Sequence, residues 1–131
     1  MIVLDTHAWL WWLSDPDKLS RRARTAIDGS LGSAAVHVSS ISAWEVTLLV
    51  RKGRLTLRLP ADEWIARSEA LSFLRFVPLD NRIAVRSNSL PAPIHDDPAD
   101  RMIVATALVL GASLVTKDAR LRRYRHVKTI W

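Results

Sequence analysis

Five acidic residues lie at the edges of apolar segments, where carboxylates are uncommon. They are Asp5, Glu45, Asp97, Asp100 and Asp118. The chain around them is basic, with 19 Lys and Arg against 13 Asp and Glu and a formal net charge of +6. Carboxylate oxygens are the ligands that hard divalent cations prefer, and a basic surface attracts polyanions. If the fold brings these acids together, we expect an oxygen-lined metal site that acts on a phosphate-backbone substrate.

Glu45 is the most informative of the five acids. It interrupts a predicted helix of about residues 40–52, in which an apolar stripe is formed by Ile41, Trp44, Leu48 and Leu49. An unpaired carboxylate buried in such a stripe is costly, so a compensating partner is expected. Alternatively, the run from Ser42 to Glu45 matches a capping box, although Ser39 or Ser40 is a better cap and places Glu45 inside the helix.

Asp97 and Asp100 stand at the start of the strongest helical pattern in the chain. The order Asp-Pro-Ala-Asp suits a helix start, with Asp97 as N-cap and Asp100 in the first turn. Asp100 also aligns with the apolar positions Ile103, Val104 and Ala107. We interpret Asp97 as either a cap or an outer metal ligand, and Asp100 as the stronger ligand candidate.

Short apolar runs that alternate with helical patterns predict the elements that position these acids. The predicted strands are residues 2–4, 36–38, 76–77, 113–115 and 127–130. The predicted helices are residues 6–13, 20–28, 39–52, 60–71, 81–87 and 97–111. Strands separated by helices indicate an α/β fold with a mostly parallel central sheet that is covered on both faces.

Asp5 and Asp118 each follow a predicted strand, and each could simply cap the helix that comes next. In an open α/β sheet, however, the functional crevice lies beyond the carboxyl ends of the strands, where the strand order switches. If the first and fourth strands are neighbours, the two carboxylates meet in that crevice. Carboxylates about 4 Å apart repel by ~4 kcal/mol at an effective dielectric constant of about 20, so the cluster needs a cation or raised pKa values.

Several polar residues flank the acids. Thr6, Ser39 and Thr116 are candidates for orienting the carboxylates or a water molecule, although hydroxyls at strand ends commonly cap the backbone. His7 and His95 also lie close to the acidic segments, and we interpret them as structural residues.

Composition limits the class of protein. The length of 131 residues and an apolar fraction of 49% predict a single globular domain over residues 1–131. No cysteine is present, which excludes disulfides, thiolate metal sites and cysteine nucleophiles. No apolar run approaches a membrane span, and the N-terminus does not resemble a signal peptide, so we expect a cytoplasmic protein without membrane contact.

Two further groups of residues suggest interaction surfaces. The basic run after Asp118 could contact phosphates near the acidic pocket or form a solvated face; it comprises Arg120, Arg122, Arg123, Arg125 and Lys128. Three tryptophans occur in one short predicted helix, at Trp9, Trp11 and Trp12. They form either a bulky core or a subunit or partner interface.

Four stretches, taken in order, carry a family pattern. They are Ile2-Val-Leu-Asp5-Thr-His-Ala-Trp-Leu-Trp-Trp, Val38-Ser-Ser-Ile-Ser-Ala-Trp-Glu45-Val, His95-Asp-Asp97-Pro-Ala-Asp100-Arg-Met-Ile-Val-Ala-Thr-Ala, and Leu114-Val-Thr116-Lys-Asp118. The chain resembles the PIN-domain ribonucleases in these stretches, specifically the VapC-type toxins of prokaryotic toxin–antitoxin pairs. One departure is Ala99, where the corresponding subgroup commonly has an aromatic residue.

The resemblance implies a Mg²⁺- or Mn²⁺-dependent endoribonuclease. Its metal ligands would be Asp5, Glu45, Asp100 and Asp118, with Asp97 as an additional acid of the H-x-D-P-x-D subgroup. The implied fold is a PIN-like, Rossmann-like three-layer α/β/α arrangement, usually dimeric. The implied partners are RNA, as tRNA or rRNA, and a small cognate antitoxin that occludes the acidic groove.

Alternative classes are less consistent with the residues. A non-catalytic RNA-binding PIN-like scaffold would not need four convergent acids. A phospho-receiver domain needs an acidic pair after its first strand, whereas Asp5 stands alone there. The same absence of an Asp-x-Asp pair counts against a haloacid-dehalogenase-type phosphatase.

Overall fold

A computed structural model describes residues 1–33 and 35–131 and shows a parallel sheet with helices on both faces. In this part of the chain the sheet has five strands in the order β3-β2-β1-β4-β5, and every neighbouring pair is parallel. The strands are β1 (Ile2–Leu4), β2 (Val36–Ser39), β3 (Leu74–Val77), β4 (Ser113–Val115) and β5 (Thr129–Ile130). The predicted three-layer α/β/α class is confirmed.

All but one of the described helices begin at a polar cap that the sequence provides. Within the described residues they are α1 (Thr6–Ser14), α2 (Arg21–Ser30), α3 (Ser40–Arg51), α4 (Ala61–Glu69), α5 (Asn81–Ser87), α6 (Pro98–Leu110) and α7 (Ala119–Arg123). Side-chain oxygens of Asp5, Ser20, Ser39, Asp80, Asp97 and Asp118 accept hydrogen bonds from the first turns of their helices. Gly111 ends α6 in a left-handed conformation with φ of 66°, which glycine adopts without strain. Short 3₁₀ turns cover Pro16–Lys18 and Leu31–Ser33.

The core has two halves because successive residues of a strand point to opposite faces of the sheet. Ile2 and Leu4 join a cluster to which α1, α2 and α3 contribute the buried residues Ala8, Trp9, Leu10, Ala23, Ile27 and Val46. Val3 joins the cluster on the other face, which contains Ile103 and Val104 of α6. Both faces of β1 are therefore covered, and all three of its residues are buried.

The strand order reverses between β1 and β4, which are adjacent as the sequence argument required. Ile2 pairs with Ser113, and Leu4 pairs with Val115. The Asp5 N–H donates to the Val115 carbonyl oxygen at 3.0 Å, so the pairing continues to the residue after β1. The chain segments that carry Asp5 and Asp118 consequently leave the sheet side by side.

Element boundaries and the tryptophan-rich helix differ in detail from the sequence prediction. Pro60 precedes α4 as its cap rather than occupying the first helical position, and α7 is an additional short helix. Trp9 is fully buried, whereas Trp11 and Trp12 are partly buried against the same core cluster. The bulky-core interpretation therefore applies to this helix. In the described residues, no helix is long and apolar enough to cross a membrane.

Candidate functional site

The five predicted acids line one pocket at the carboxyl edge of the sheet. This acidic pocket has a volume of about 520 Å³ and lies at the β1–β4 switch point. Its lining residues are Asp5, Thr6, His7, Trp11, Glu45, Asp97, Asp100, Ile103, Lys117, Asp118 and Arg120. Strand order therefore brings together acids that are up to 113 positions apart, Asp5 and Asp118.

Asp5 and Asp118 are connected through the hydroxyl group of Thr116. The hydroxyl of the buried Thr116 lowers the pKa of Asp5, and its Oγ1 accepts from the Asp118 N–H at 3.0 Å. Asp5 Oδ1 also accepts from the Ala8 N–H at 2.8 Å, which makes Asp5 the N-cap of α1. Capping and membership of the pocket are therefore compatible for Asp5, and the same holds for Asp118, the N-cap of α7.

Glu45 projects from α3 and is held by a residue of α1. The Thr6 hydroxyl donates to Glu45 Oε1 at 2.6 Å, and Ser42 Oγ lies 2.8 Å from Thr6 Oγ1. Because the single Thr6 proton goes to the carboxylate, the Ser42 hydroxyl donates to Thr6. The capping-box alternative is wrong, since α3 begins at Ser40 and its cap is Ser39. The predicted apolar stripe is also partly wrong, because Trp44 is 55% exposed.

Asp97 and Asp100 occupy the first turn of α6 and have different environments. Asp97 is exposed, and its Oδ1 accepts from the Asp100 N–H at 2.9 Å, so it caps the helix while its side chain lines the pocket. Asp100 is half-buried, and its Oδ2 lies 2.7 Å from His95 Nε2. An ionised carboxylate can only accept, so His95 carries a proton on Nε2 in this pair. His95, which the sequence analysis interprets as a structural residue, therefore contacts a candidate metal ligand directly.

Arg120 supplies positive charge inside the acidic pocket. Its Nη2 lies 3.1 Å from Asp118 Oδ2 and 3.6 Å from Asp100 Oδ2. One guanidinium group thus bridges carboxylates from α6 and from the start of α7. The side chain is 55% exposed, so it can leave this position without disturbing the core.

The pKa values show the electrostatic cost of the cluster. Burial raises the pKa of Asp5 to about 6, and the hydrogen bonds from Thr116 and Ala8 offset only part of that effect. Burial also raises the pKa of Glu45 and that of Asp100, and neighbouring carboxylates add to the rise in both. Burial acts in the same direction on Asp118, but its hydrogen bonds with Arg120 outweigh it and lower the pKa.

The carboxylate oxygens of the acidic pocket suit a hard divalent cation, although in this conformation they accept hydrogen bonds from protein groups. Within residues 1–33 and 35–131, no three His, Asp or Glu side chains already stand close enough together to hold a metal ion. The four candidate ligand carboxylates instead accept from protein donors: Ala8 for Asp5, Thr6 for Glu45, His95 for Asp100, and Arg120 for Asp118. An oxygen-only set in which three carboxylates have raised pKa values is one that Mg²⁺ or Mn²⁺ would stabilise.

An apolar groove adjoins the acidic pocket. It has a volume of about 660 Å³, and it shares His7 and Trp11 with the pocket. Its remaining wall comes from α1, Asp15 and Lys18 after that helix, Leu49 of α3, the segment of residues 54–59 and Trp64 of α4. The basic side chains Lys18, Arg54 and Arg58 stand among its apolar residues.

Comparison with known proteins defines the family. The PIN domain family matches residues 2–127 of the chain. Ribonuclease VapC22 of Mycobacterium tuberculosis (strain ATCC 25618 / H37Rv) is 36% identical over 132 residues, which cover 99% of this chain and 98% of that protein. The chain therefore belongs to the PIN-domain family and, with this relative, to its VapC-type members.

Solved structures show the same fold at lower sequence identity. The crystal structure of VapBC2 from Rickettsia felis, bound to a DNA fragment from its promoter, has a TM-score of 0.70 at 14% identity and covers 98% of this chain and 97% of that one. FitAcB from Neisseria gonorrhoeae has a TM-score of 0.69 at 22% identity, with 98% and 96% covered. A toxin–antitoxin complex from Klebsiella pneumoniae gives 0.64 at 21% identity, with 97% and 95% covered.

Proposed function

We propose that this protein is a metal-dependent endoribonuclease and the toxin of a toxin–antitoxin pair, acting on tRNA or rRNA in the cytoplasm. The observation that carries the proposal is the convergence of five carboxylates in one pocket of a protein with net charge +6. The full-length similarity to Ribonuclease VapC22 supports the same reaction class. A scaffold that only bound RNA would gain nothing from acids that repel phosphates.

The metal ligands in this proposal are Asp5, Glu45, Asp100 and Asp118, and Asp97 stands at the outer edge of the site. A bound Mg²⁺ or Mn²⁺ ion would lower the pKa of a water molecule and neutralise charge on the phosphate and the leaving oxygen. The raised pKa values of Asp5, Glu45 and Asp100 support this role, because burial and, to a lesser degree, neighbouring carboxylates disfavour the ionised forms that a cation would stabilise.

Residues around the carboxylates orient them for this task. Thr6 holds one oxygen of Glu45, which leaves the other oxygen directed to the pocket. Thr116 holds the backbone of Asp118 through its hydroxyl group and lowers the pKa of Asp5, so one side chain acts on two ligands that follow different strands. His95 steadies Asp100 in the same way. Such supporting hydrogen bonds fix ligand orientation in metal sites.

Arg120 balances the pocket before substrate binds. It neutralises part of the charge of Asp100 and Asp118 in the structure described here. Release of this exposed side chain would expose both carboxylates to an ion and leave the guanidinium group at the pocket rim. There it would attract a phosphate of the RNA, because a guanidinium binds phosphate oxygens bidentately.

The proposed protein partner is a cognate antitoxin, which would bind the apolar groove beside the acidic pocket. The related structures contain toxin–antitoxin complexes, which supports such a partner here. A segment in the groove would bury Trp11 and Trp64 and could place acidic groups against Lys18, Arg54 and Arg58. Its proximity to the pocket would block RNA access. We also propose a homodimer, for which the exposed apolar side chains Trp44 and Val85 provide surface.

The proposal is tested by incubating total RNA with the protein in Mg²⁺, in Mn²⁺ and in EDTA. We expect discrete cleavage products with either cation and none in EDTA. The Asp100→Asn protein should lose cleavage and keep its fold, measured by its thermal midpoint. The matched control is Asp96→Asn, because Asp96 is fully exposed outside the pocket and carries the same charge.

The outcomes separate the two candidate functions. Equal cleavage by wild type and Asp100→Asn would reject the proposed site. RNA binding without cleavage in any cation would indicate the non-catalytic scaffold. Loss of activity in Asp96→Asn as well would show that net charge, rather than the pocket, controls the reaction.

A further inference from the structure

A second pocket lies beside the acidic one and has the opposite charge. We call it the basic pocket; it has a volume of about 460 Å³ and is lined by Arg22, Ala119, Arg122, Arg123, Thr129 and Trp131. Three guanidinium groups therefore converge from two helices, α2 and α7. Sequence reasoning considered the arginines of α7, but Arg22 is a hundred positions away and gave no signal.

The three arginines are not used to stabilise the fold through ion pairs. Across residues 1–33 and 35–131, no carboxylate lies within 4.0 Å of Arg22, Arg122 or Arg123. All three are exposed, so each is available to a ligand from solvent. Like charges that share a pocket repel one another, and an anion removes that repulsion.

The wall of the basic pocket is fixed by packing. Trp131 is half-buried, and its ring lies 5.9 Å from that of Trp11 in the tryptophan-rich helix. Thr129 belongs to β5, the edge strand of the sheet. The arginines thus surround a rigid apolar and polar surface rather than a loop.

The short helix α7 separates the two pockets. Asp118 caps it and Arg120 follows, and both line the acidic pocket, whereas Ala119, Arg122 and Arg123 line the basic pocket. Asp118 and Arg122 are four positions apart, about 6 Å along a helix axis. An RNA strand bound in the acidic pocket therefore has the basic pocket within a short distance.

We propose that the basic pocket binds a backbone phosphate of the single-stranded RNA substrate, next to the phosphate that enters the acidic pocket. This inference rests on the proposed ribonuclease function, and it adds the path that the RNA takes across the protein. Guanidinium groups suit this ligand because they bind phosphate oxygens bidentately and keep their charge at all physiological pH values. The contact positions the RNA and carries no sequence specificity.

The test measures binding of a fluorescently labelled single-stranded oligoribonucleotide in EDTA over a range of salt concentrations. Each lost phosphate contact lowers the slope of log affinity against log salt by ~0.7 for single strands. We expect the double variant Arg122→Gln, Arg123→Gln to bind more weakly and to lose about 0.7 of slope, the contribution of one phosphate contact. Arg22→Gln alone should change the slope in the same direction.

The matched control is the double variant Arg21→Gln, Arg125→Gln, which removes the same charge from exposed positions outside the pocket. Its slope should stay close to that of wild type. Equal slope changes in the two double variants, or a wild-type slope in Arg22→Gln, would overturn the proposal. Because RNA affinity is measured in EDTA, the assay tests the basic pocket whether or not the protein cleaves RNA. A failure of the ribonuclease proposal is therefore distinguishable from a failure of this one.

Discussion

Replacing Asp5 with Asn should stabilise the metal-free protein at neutral pH. Asp5 is only 9% exposed, and its burial raises the pKa from 3.8 to about 6. The folded state therefore resists ionisation of this carboxyl group more than the unfolded state does. Asn is an equally good N-cap, so the hydrogen bond from the Ala8 N–H is retained in the variant.

The size and sign of the effect follow from the two pKa values. For an acid whose pKa is raised on folding, the folded state binds more protons between the two values, so stability falls as pH rises through that window. The contribution of Asp5 is neutral below its unfolded value of 3.8 and is unfavourable once pH exceeds about 6. The pKa difference corresponds to about 3 kcal/mol, an upper value for the gain in Asp5→Asn at pH 7.5.

The assay is urea unfolding in EDTA at pH 7.5 and at the lowest pH where wild type remains folded. We expect Asp5→Asn to be more stable by about 2–3 kcal/mol at pH 7.5 and by much less at the lower pH. Asp80→Asn is the matched control, because Asp80 caps α5 with the same i to i+3 hydrogen bond but is exposed outside the pocket. It should show no such gain.

Divalent cations should reverse the order of stability. An ion that binds only the folded state adds about 2.7 kcal/mol at a hundred times its Kd, so Mn²⁺ should stabilise wild type in a concentration-dependent way. Asp5→Asn should respond much less. The reasoning would be refuted by an Asp5→Asn protein that is no more stable than wild type in EDTA at pH 7.5, or whose gain is independent of pH.

Three further substitutions test the arrangement around the carboxylates. Glu45→Gln should abolish cleavage in single-turnover kinetics, while its free energy of unfolding in urea stays within about 1 kcal/mol of wild type. A variant that still cleaves RNA would show that the role of Glu45 is structural. Arg120→Gln should bind Mn²⁺ about threefold more tightly by calorimetry in the absence of RNA, because no ion pair with Asp100 or Asp118 must break first. Weaker Mn²⁺ binding would contradict the proposed bridge between these two carboxylates. Thr116→Val should lower the free energy of unfolding by about 1–2 kcal/mol and slow cleavage, whereas Thr116→Ser should keep both close to wild type. A Thr116→Val protein with wild-type turnover would show that the hydroxyl does not position the ligands.

Much of the fold could be predicted because the capping residues and the apolar runs of the sequence mark the same helices and strands. The strand and helix order followed from apolar runs and capping residues. The adjacency of β1 and β4 was only a condition of the sequence argument, and the structure supplies it. The family motifs around Asp5, Glu45, Asp100 and Asp118 predicted which acids converge. The assignment of residues 1–131 to one domain, and of ligand roles to these acids, stay predictions.

The remaining features depend on tertiary contacts that periodicity does not encode. Trp44 lies beside Glu45 in sequence but faces solvent, because the rotation of α3 is set by packing of Ser42 and Val46. Glu45 finds its partner in Thr6 of α1, which no local pattern could indicate. Arg22 reaches the basic pocket because α2 and α7 both pack against β5.

The central claim is that the acidic pocket binds the catalytic cation, and anomalous diffraction from crystals grown with Mn²⁺ tests it most directly. The account predicts an anomalous peak within about 2–2.5 Å of carboxylate oxygens of Asp5, Glu45, Asp100 and Asp118, with Arg120 displaced from its present position. The Asp100→Asn protein should show a weakened peak or none. Mn²⁺ bound elsewhere on the protein, with Arg120 still bridging Asp100 and Asp118, would contradict the account.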